Sequence, residues 1–468
     1  MRRSGRVFAV VGALALLATG CLGSSDDGNA DANRNSQATE VTLTLTANAA
    51  PGGKNAQEAD WINNWVIPRF VAAEKAKNIN AKVTFQPSGV GDEDYKSKLA
   101  LDLRSKSGAD VISLDGIWVG EFADAGYIKP LEDVIGAKVN DWDGWKQIQD
   151  SVQQLMAYNG KRYGIAAGTD GRVLFFNKRL FARAGLPADW QPHSWADIIA
   201  AGQKLKTLSG VTPIQLNAGT AMGEATSMQG ALPLLVGTGK KIYNDGKWQG
   251  NTAAVRDVLD FYQQIYSAGL GDKTLQQEAK GRDESFAKFA KDKIGILLES
   301  DYLWRGVVEP KQGIAPMADR DQAVGYALIP AKTAGGGVNG QDFVSMSGGG
   351  GRVVNPNSKF PQQAWDLLTF MNSAEATKAY LGGAAKITQR DDVNAEVLAG
   401  DPMLSFVATK VLPLTAFRPG LAAYPAVSQA LQQATLDVVT GKSPADAAAT
   451  YGKAVEKAAG GAANVATG

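Results

Sequence analysis

Residues 170–206 read DGRVLFFNKRLFARAGLPADWQPHSWADIIAAGQKLK. The apolar period changes twice along this stretch. Val173 to Phe176 form a continuous apolar run of strand length, and the chain then passes at Asn177 into a helical segment that stops at Gly185. Pro187 and Pro192 mark a loop, Ser194 stands where an N-cap belongs, and the helix it opens closes on Gly210. A buried strand that feeds directly into a helix is the repeating unit of an α/β sheet.

The same grammar extends in both directions. Upstream, EVTLTLTA (40–47), AKVTFQPS (81–88) and ADVISLD (109–115) read as strands, separated by helices in DWINNWVIPRFVAAEKAK (60–77) and EDYKSKLALDLRSK (93–106). EFADAGYIKPL (121–131) reads as a short helix that stops near Pro130. Downstream, DKIGILLES (292–300) and GRVVNP (351–356) are strands, FPQQAWDLLTFMNSAEATKAYL (360–381) holds two helices, and the tail from Ala423 to Ala459 is helical. Strand–helix alternation over 468 residues predicts two or more α/β domains with mainly parallel sheets and no internal repeat.

The residue inventory removes several chemistries. One histidine, His193, and one cysteine, Cys21, leave no Cys/His nucleophile pair and no zinc site of ordinary composition, so no metal or other cofactor is expected. His193, between Pro192 and Ser194, reads as a surface loop residue. Cys21 follows Arg2, Arg3 and Arg6 and the uncharged run Val7–Ala18, which has the layout of a secretory signal and is too short to span a bilayer. LGSSDDGNADANRNSQAT (22–39) is polar and poor in apolar residues, as a tether would be. Without the three signal arginines, 45 bases face 47 acids, and a charge near −2 gives no electrostatic ground for nucleic acid as a partner.

Two resemblances add to this reading. The N-terminus resembles a bacterial lipoprotein signal, with Ala18 where such signals usually carry Leu; it implies a lipidated Cys21 that anchors the body to the outer face of the cell membrane. The stretch 170–206 resembles the extracellular carbohydrate-binding proteins of ATP-driven (ABC) import systems, the maltose- and trehalose-binding group, with Phe176-Asn177-Lys178 in place of the tyrosine version of that triplet. SLDGIWVGEFADAGYIKPL (113–131), FAKDKIGILLESDYLW (289–304), GGAAKITQRDDV (382–393) and PLTAFRPGLAAYPAVSQAL (413–431) agree in family order. The resemblance covers about residues 41 to 455 and implies a two-lobed fold of the periplasmic-binding-protein kind, with hinge crossovers and an interlobe ligand cleft. It implies a chain that leaves the first lobe near Gly164, returns near Ser300 and crosses again near Asn355. The expected organisation is therefore signal 1–20, tether 21–40, lobe 1 from 41–165 with 300–355, and lobe 2 from 166–299 with 356–460.

A sugar presents hydroxyls that donate and accept, and apolar C–H faces, so its site calls for carboxylates or amides beside aromatic rings. Asp115 ends a buried strand three residues before Trp118, and ligands of open α/β sheets lie beyond such strand ends. Asp170, with Arg172 behind it, stands at the expected first crossing in GTDGR. Glu299, Tyr302 and Trp304 stand at the expected second crossing. Arg418 precedes Pro419 and is therefore extended, which suits presentation from a loop. Glu224, and Gly349 within the run Gly348–Gly350, complete the candidate set. Asp92, Glu93 and Asp94 read as a solvated helix start. No cluster of lysine and arginine stands out among these candidates, which disfavours a highly charged ligand.

The resulting expectation is a monomeric binding lipoprotein, not an enzyme. It would capture a di- or oligosaccharide, of trehalose- or maltose-like type on the run Asp115–Gly126, and present it to a membrane permease. The alternatives are an extracellular glycoside hydrolase with a carboxylate pair, and the same fold with a non-sugar solute.

Overall fold

A computed structural model describes residues 32–53 and 55–468 of the protein. The expected signal, Cys21 and the tether as far as Asp31 lie outside the described residues. The remainder of the expected tether is not free of the body. Gln362 donates to the Ala32 carbonyl at 2.6 Å, and Gln363 donates to the carbonyls of Asn35 and Ser36 at 3.1 and 3.2 Å. Polar sequence predicts solvation, but these backbone acceptors are held by two glutamines more than three hundred residues away.

Two sheets organise the chain. Strand β1 (Glu40–Ala47) alternates as its sequence predicts, with Val41, Leu43 and Leu45 inside. β2 (Asn80–Pro87) and β3 (Val111–Asp115) lie parallel on either side of it, each reached through a helix. After β4 (Gly164–Ala166) the chain enters the second sheet with β5 (Arg172–Asn177), then β6 (Thr212–Gln215), β7 (Ile294–Ser300) and β8 (Val324–Ala327), in the spatial order β8-β5-β7-β6. β9 (Phe343–Ser347) stays on this side, and β10 (Gly350–Val354) returns to the first sheet, whose order is β2-β1-β3-β10-β4. β11 (Thr415–Phe417) then pairs in parallel with β9.

The sheets are mixed rather than mainly parallel. β10 runs antiparallel to β3 and β4, and β5 runs antiparallel to β7 and β8. Strands that carry the chain between lobes arrive without a crossover helix of their own, so nothing turns them parallel to their neighbours.

The expected spans also need correction. The chain leaves the first sheet after Ala166, but β8 pairs in the second sheet and β9 packs Val344 and Met346 into the second lobe's core, and the return comes at Gly348–Gly350 rather than near Ser300. Helix Pro361–Met371 packs on β1, β3 and β10, which places it in the first lobe, and the last passage lies between Leu412 and Thr415 rather than near Asn355.

β5 explains why its sequence lacks alternation. Leu174 and Phe176 face one apolar core, which extends to Tyr424 and Val427 of helix Tyr424–Val439. Val173 and Phe175 face another, which includes Val407 and Val411 and continues into the first lobe. A strand buried on both faces reads as one apolar run. The helix after it in the quoted stretch is capped as expected, Ser194 Oγ accepting from the Asp197 N–H at 3.3 Å. Among the described residues no helix is long and apolar enough to cross a membrane.

Candidate functional site

A cavity of about 380 Å³ opens where β3 ends, against the two passages Ala167–Asp170 and Gly348–Gly349. Backbone from the two passages meets beneath it. Gly349 has φ 139°, and a Cβ there would lie 2.5 Å from the Gly168 carbonyl oxygen, so only glycine lets the strands approach this closely. Asp170 fastens them: its Oδ1 accepts from the Gly348 N–H at 2.7 Å and from Arg172 Nη1. Burial alone would raise the Asp170 carboxyl. Arg172, the Gly348 N–H and Arg305 outweigh it and hold the group below its ordinary value.

Asp115 lines the cavity from the end of β3, with Trp118 and Tyr95 beside it. The two rings lie 6.3 Å apart, and the Tyr95 hydroxyl donates to the Ser113 carbonyl at 2.9 Å. Burial pushes Asp115 above the usual carboxylate range, against the pull of Arg418 and of the Ile117 N–H, which donates at 3.0 Å. Ser113 Oγ and Asn48 Oδ1 also belong to lining residues, and neither has a hydrogen-bond partner among the described residues. Among the described residues no group of His, Cys, Asp and Glu could hold a metal ion.

The cations near the cavity are more numerous than the sequence indicated. Arg305, Arg352 and Lys386 line it, and Arg172 stands behind Asp170. They come from separate segments, so no cluster is visible along the chain. Arg352 Nη2 pairs with Glu58 at 2.6 Å, and Arg305 Nε pairs with Asp301 at 2.7 Å. Burial, with Asp170 nearby, raises the Asp301 carboxyl, which Arg305 and the Gly171 N–H oppose.

Arg418 comes from the loop after β11 and borders a smaller recess next to the cavity. Its Nη1 approaches Glu224 Oε1 at 3.3 Å. Glu224 also accepts from the Tyr424 hydroxyl, and from Ser428 Oγ at 2.7 Å. Glu224 therefore positions Arg418 and does not itself line the cavity.

Three expected site residues lie elsewhere. Glu299 is fully buried and receives two bonds from Arg282, both at 2.8 Å, with the Ser300 N–H at 2.7 Å. Trp304 is buried with its indole N–H on Asp401 and Arg320 over its ring at 3.8 Å. Tyr302 packs on Phe286. Conversely, Asp92, read as a solvated helix start, lines the cavity, as do Tyr95, Tyr380 and Lys386, none of them singled out from sequence. Lys386 lies in GGAAKITQRDDV, where the family likeness was the available signal.

Comparison with known proteins agrees with this architecture. The family model described as bacterial extracellular solute-binding protein matches residues 55–378. The diacetylchitobiose binding protein DasA of Streptomyces coelicolor is 24% identical over 461 residues, covering 95% of this chain and 96% of that protein. The sugar-binding protein MalE from Xanthomonas citri superposes with a TM-score of 0.70 at 18% identity, over 89% of this chain and 97% of its own. The cyclic α-maltosyl-1,6-maltose binding protein from Arthrobacter globiformis superposes with a TM-score of 0.68 at 20% identity, over 90% and 99%. The fold is the two-lobed one of these periplasmic-binding-protein structures, and the chain belongs to the bacterial extracellular solute-binding protein family.

Proposed function

We propose that this chain is the solute-capturing component of an ABC importer and that its solute is a carbohydrate of di- or oligosaccharide size. The observation that carries the proposal is the end of β3. There a carboxylate, a hydroxyl and an amide oxygen, the latter two without hydrogen-bond partners among the described residues, line one cavity with two aromatic rings. Hydroxyl groups that donate and accept would answer those atoms, and a pyranose C–H face would lie against the rings. The cavity volume falls within the range of small-ligand sites. DasA and MalE, by their names, bind saccharides, which supports the same class here.

In this proposal Asp115, Trp118 and Asp170 contact the ligand from the first lobe and the hinge, Gly349 lets backbone approach it, and Arg418 reaches it from the second lobe. The lobes close over it by hinge motion. The family is one of extracellular binding proteins. Lipid anchoring at Cys21, a monomeric state and delivery to a membrane permease belong to the proposal, and a Cys21→Ser chain should be released from the membrane fraction. Calorimetric titration with trehalose, maltose, cellobiose and longer homologues tests the ligand class, and chromatography of the recovered sugar tests turnover. Binding with the sugar recovered intact is the expected result. Cleavage of any of these would favour a glycoside hydrolase.

A further inference from the structure

One end of the cleft offers more donors than the protein satisfies. Glu58, Asp170 and Asp301 are each matched by one arginine, namely Arg352, Arg172 and Arg305. Lys386 is matched by none. Among the described residues it has no carboxylate at ion-pair distance, and its ammonium stands 5.7 Å from the centroid of the Tyr380 ring. Arg352 is 5% exposed, commits one terminal nitrogen to Glu58, and has a buried Nε with no acceptor among the described residues. Arg305 uses Nε for Asp301, and neither of its terminal nitrogens has an acceptor among the described residues.

Asp92 and Asp115 also line the cavity, so its wall carries four acids against three bases, and Lys386 is the lining cation with no carboxylate at ion-pair distance among the described residues. Arg305, Asp301, Glu58 and Asp170 are the charges that weigh most on Lys386. Arg352 pairs with Ser113 in the β3–β10 ladder, two residues from the Gly350–Asp115 pair, so these cations adjoin the Asp115 carboxylate. Burial pulls Lys386 below the ordinary lysine value, as expected of a cation withdrawn from water without a counter-ion.

We propose that this end is an anion-binding subsite, and that the saccharide taken by the cleft carries one carboxylate or phosphate group seated among Lys386, Arg305 and Arg352. The inference rests on the carbohydrate reading of the cleft. An anion there would accept charge-assisted hydrogen bonds from Lys386 and the terminal nitrogens of Arg305, which have no acceptor among the described residues, and would supply Lys386 with a counter-charge. The neutral part of the ligand would then lie towards Asp115 and Trp118.

The test is calorimetric titration of the mature full-length chain with cellobiose, maltose, digalacturonate and a disaccharide phosphate. An acidic probe should bind at least roughly tenfold tighter than the neutral disaccharides. That advantage should shrink between about 0.02 M and about 0.5 M salt. Lys386→Met should abolish it and Lys386→Arg should retain most of it, with circular dichroism showing both variants folded. Which acidic probe binds distinguishes carboxylate from phosphate. Equal affinity for neutral and acidic probes, or an advantage that survives Lys386→Met, overturns the subsite and leaves the carbohydrate reading standing. No binding of any probe overturns both.

Discussion

Asp170 Oδ1 accepts the Gly348 N–H at 2.7 Å, so a side chain on one interlobe passage holds the backbone of another. The same carboxylate neutralises Arg172, which is 6% exposed and whose guanidinium, among the described residues, otherwise bonds only to the Met346 carbonyl at 3.3 Å. Asp170→Ala leaves that cation buried without its partner, a loss of about 3–5 kcal/mol. Urea denaturation should show it as a lowered midpoint. Asp170 is held below its ordinary value, so its stabilisation is present above the unfolded carboxylate value and is lost as pH falls through the lower folded one.

Asp115 has the opposite sign. Burial raises it, so the native state binds its proton more tightly than the unfolded chain does. Stability from this group falls as pH rises from the ordinary carboxylate value through the raised one. Asp115→Asn should therefore unfold at a higher urea concentration at neutral pH than the parent, with a smaller decline across that window. It should also bind ligand more weakly, which marks a site residue kept at a cost in stability.

Glu299 is a structural residue on this account. It is buried and bidentate with Arg282, so Glu299→Ala should cost about 3–5 kcal/mol. The affinity of the fraction that remains folded should be unchanged. Calorimetry well below the melting temperature, scaled to the folded fraction, separates these two outcomes.

Strand β1 was legible in the sequence because one buried face imposes period two, and the helix at Trp195 because Ser194 caps it. Glu299 was not. A carboxylate at the end of an apolar strand suits a cleft or an internal ion pair equally, and Arg282, which decides between them, sits on a helix seventeen residues earlier. The return near Ser300 was implied by the family likeness and not by local chemistry, whereas the chain returns through Gly348–Gly350, where a Cβ on Gly349 would have no room against the Gly168 carbonyl. Arg305, Arg352 and Lys386 meet only in three dimensions, so spacing along the chain could not announce them.

The Gly420 carbonyl accepts from the Glu121 N–H at 2.5 Å, a direct backbone bond between the loop after β11 and the helix after β3. A Cβ on Gly420 would lie 2.8 Å from the Gly120 nitrogen. Gly420→Ala should hold the lobes further apart. Small-angle scattering should show a larger radius of gyration with saturating ligand than for the parent, and affinity should fall through faster dissociation.

The account rests most heavily on Asp115 gripping a saccharide between the lobes. Its most direct test is the thermal unfolding of wild type and Asp115→Ala with each sugar of the neutral and acidic panels. At about 100 times its Kd, a bound saccharide should stabilise the wild type by roughly 2.7 kcal/mol, and the variant, folded on its own, should gain almost nothing. If no saccharide shifts the wild type, or if the variant is stabilised as fully as the parent, the cleft described here is not the carbohydrate site.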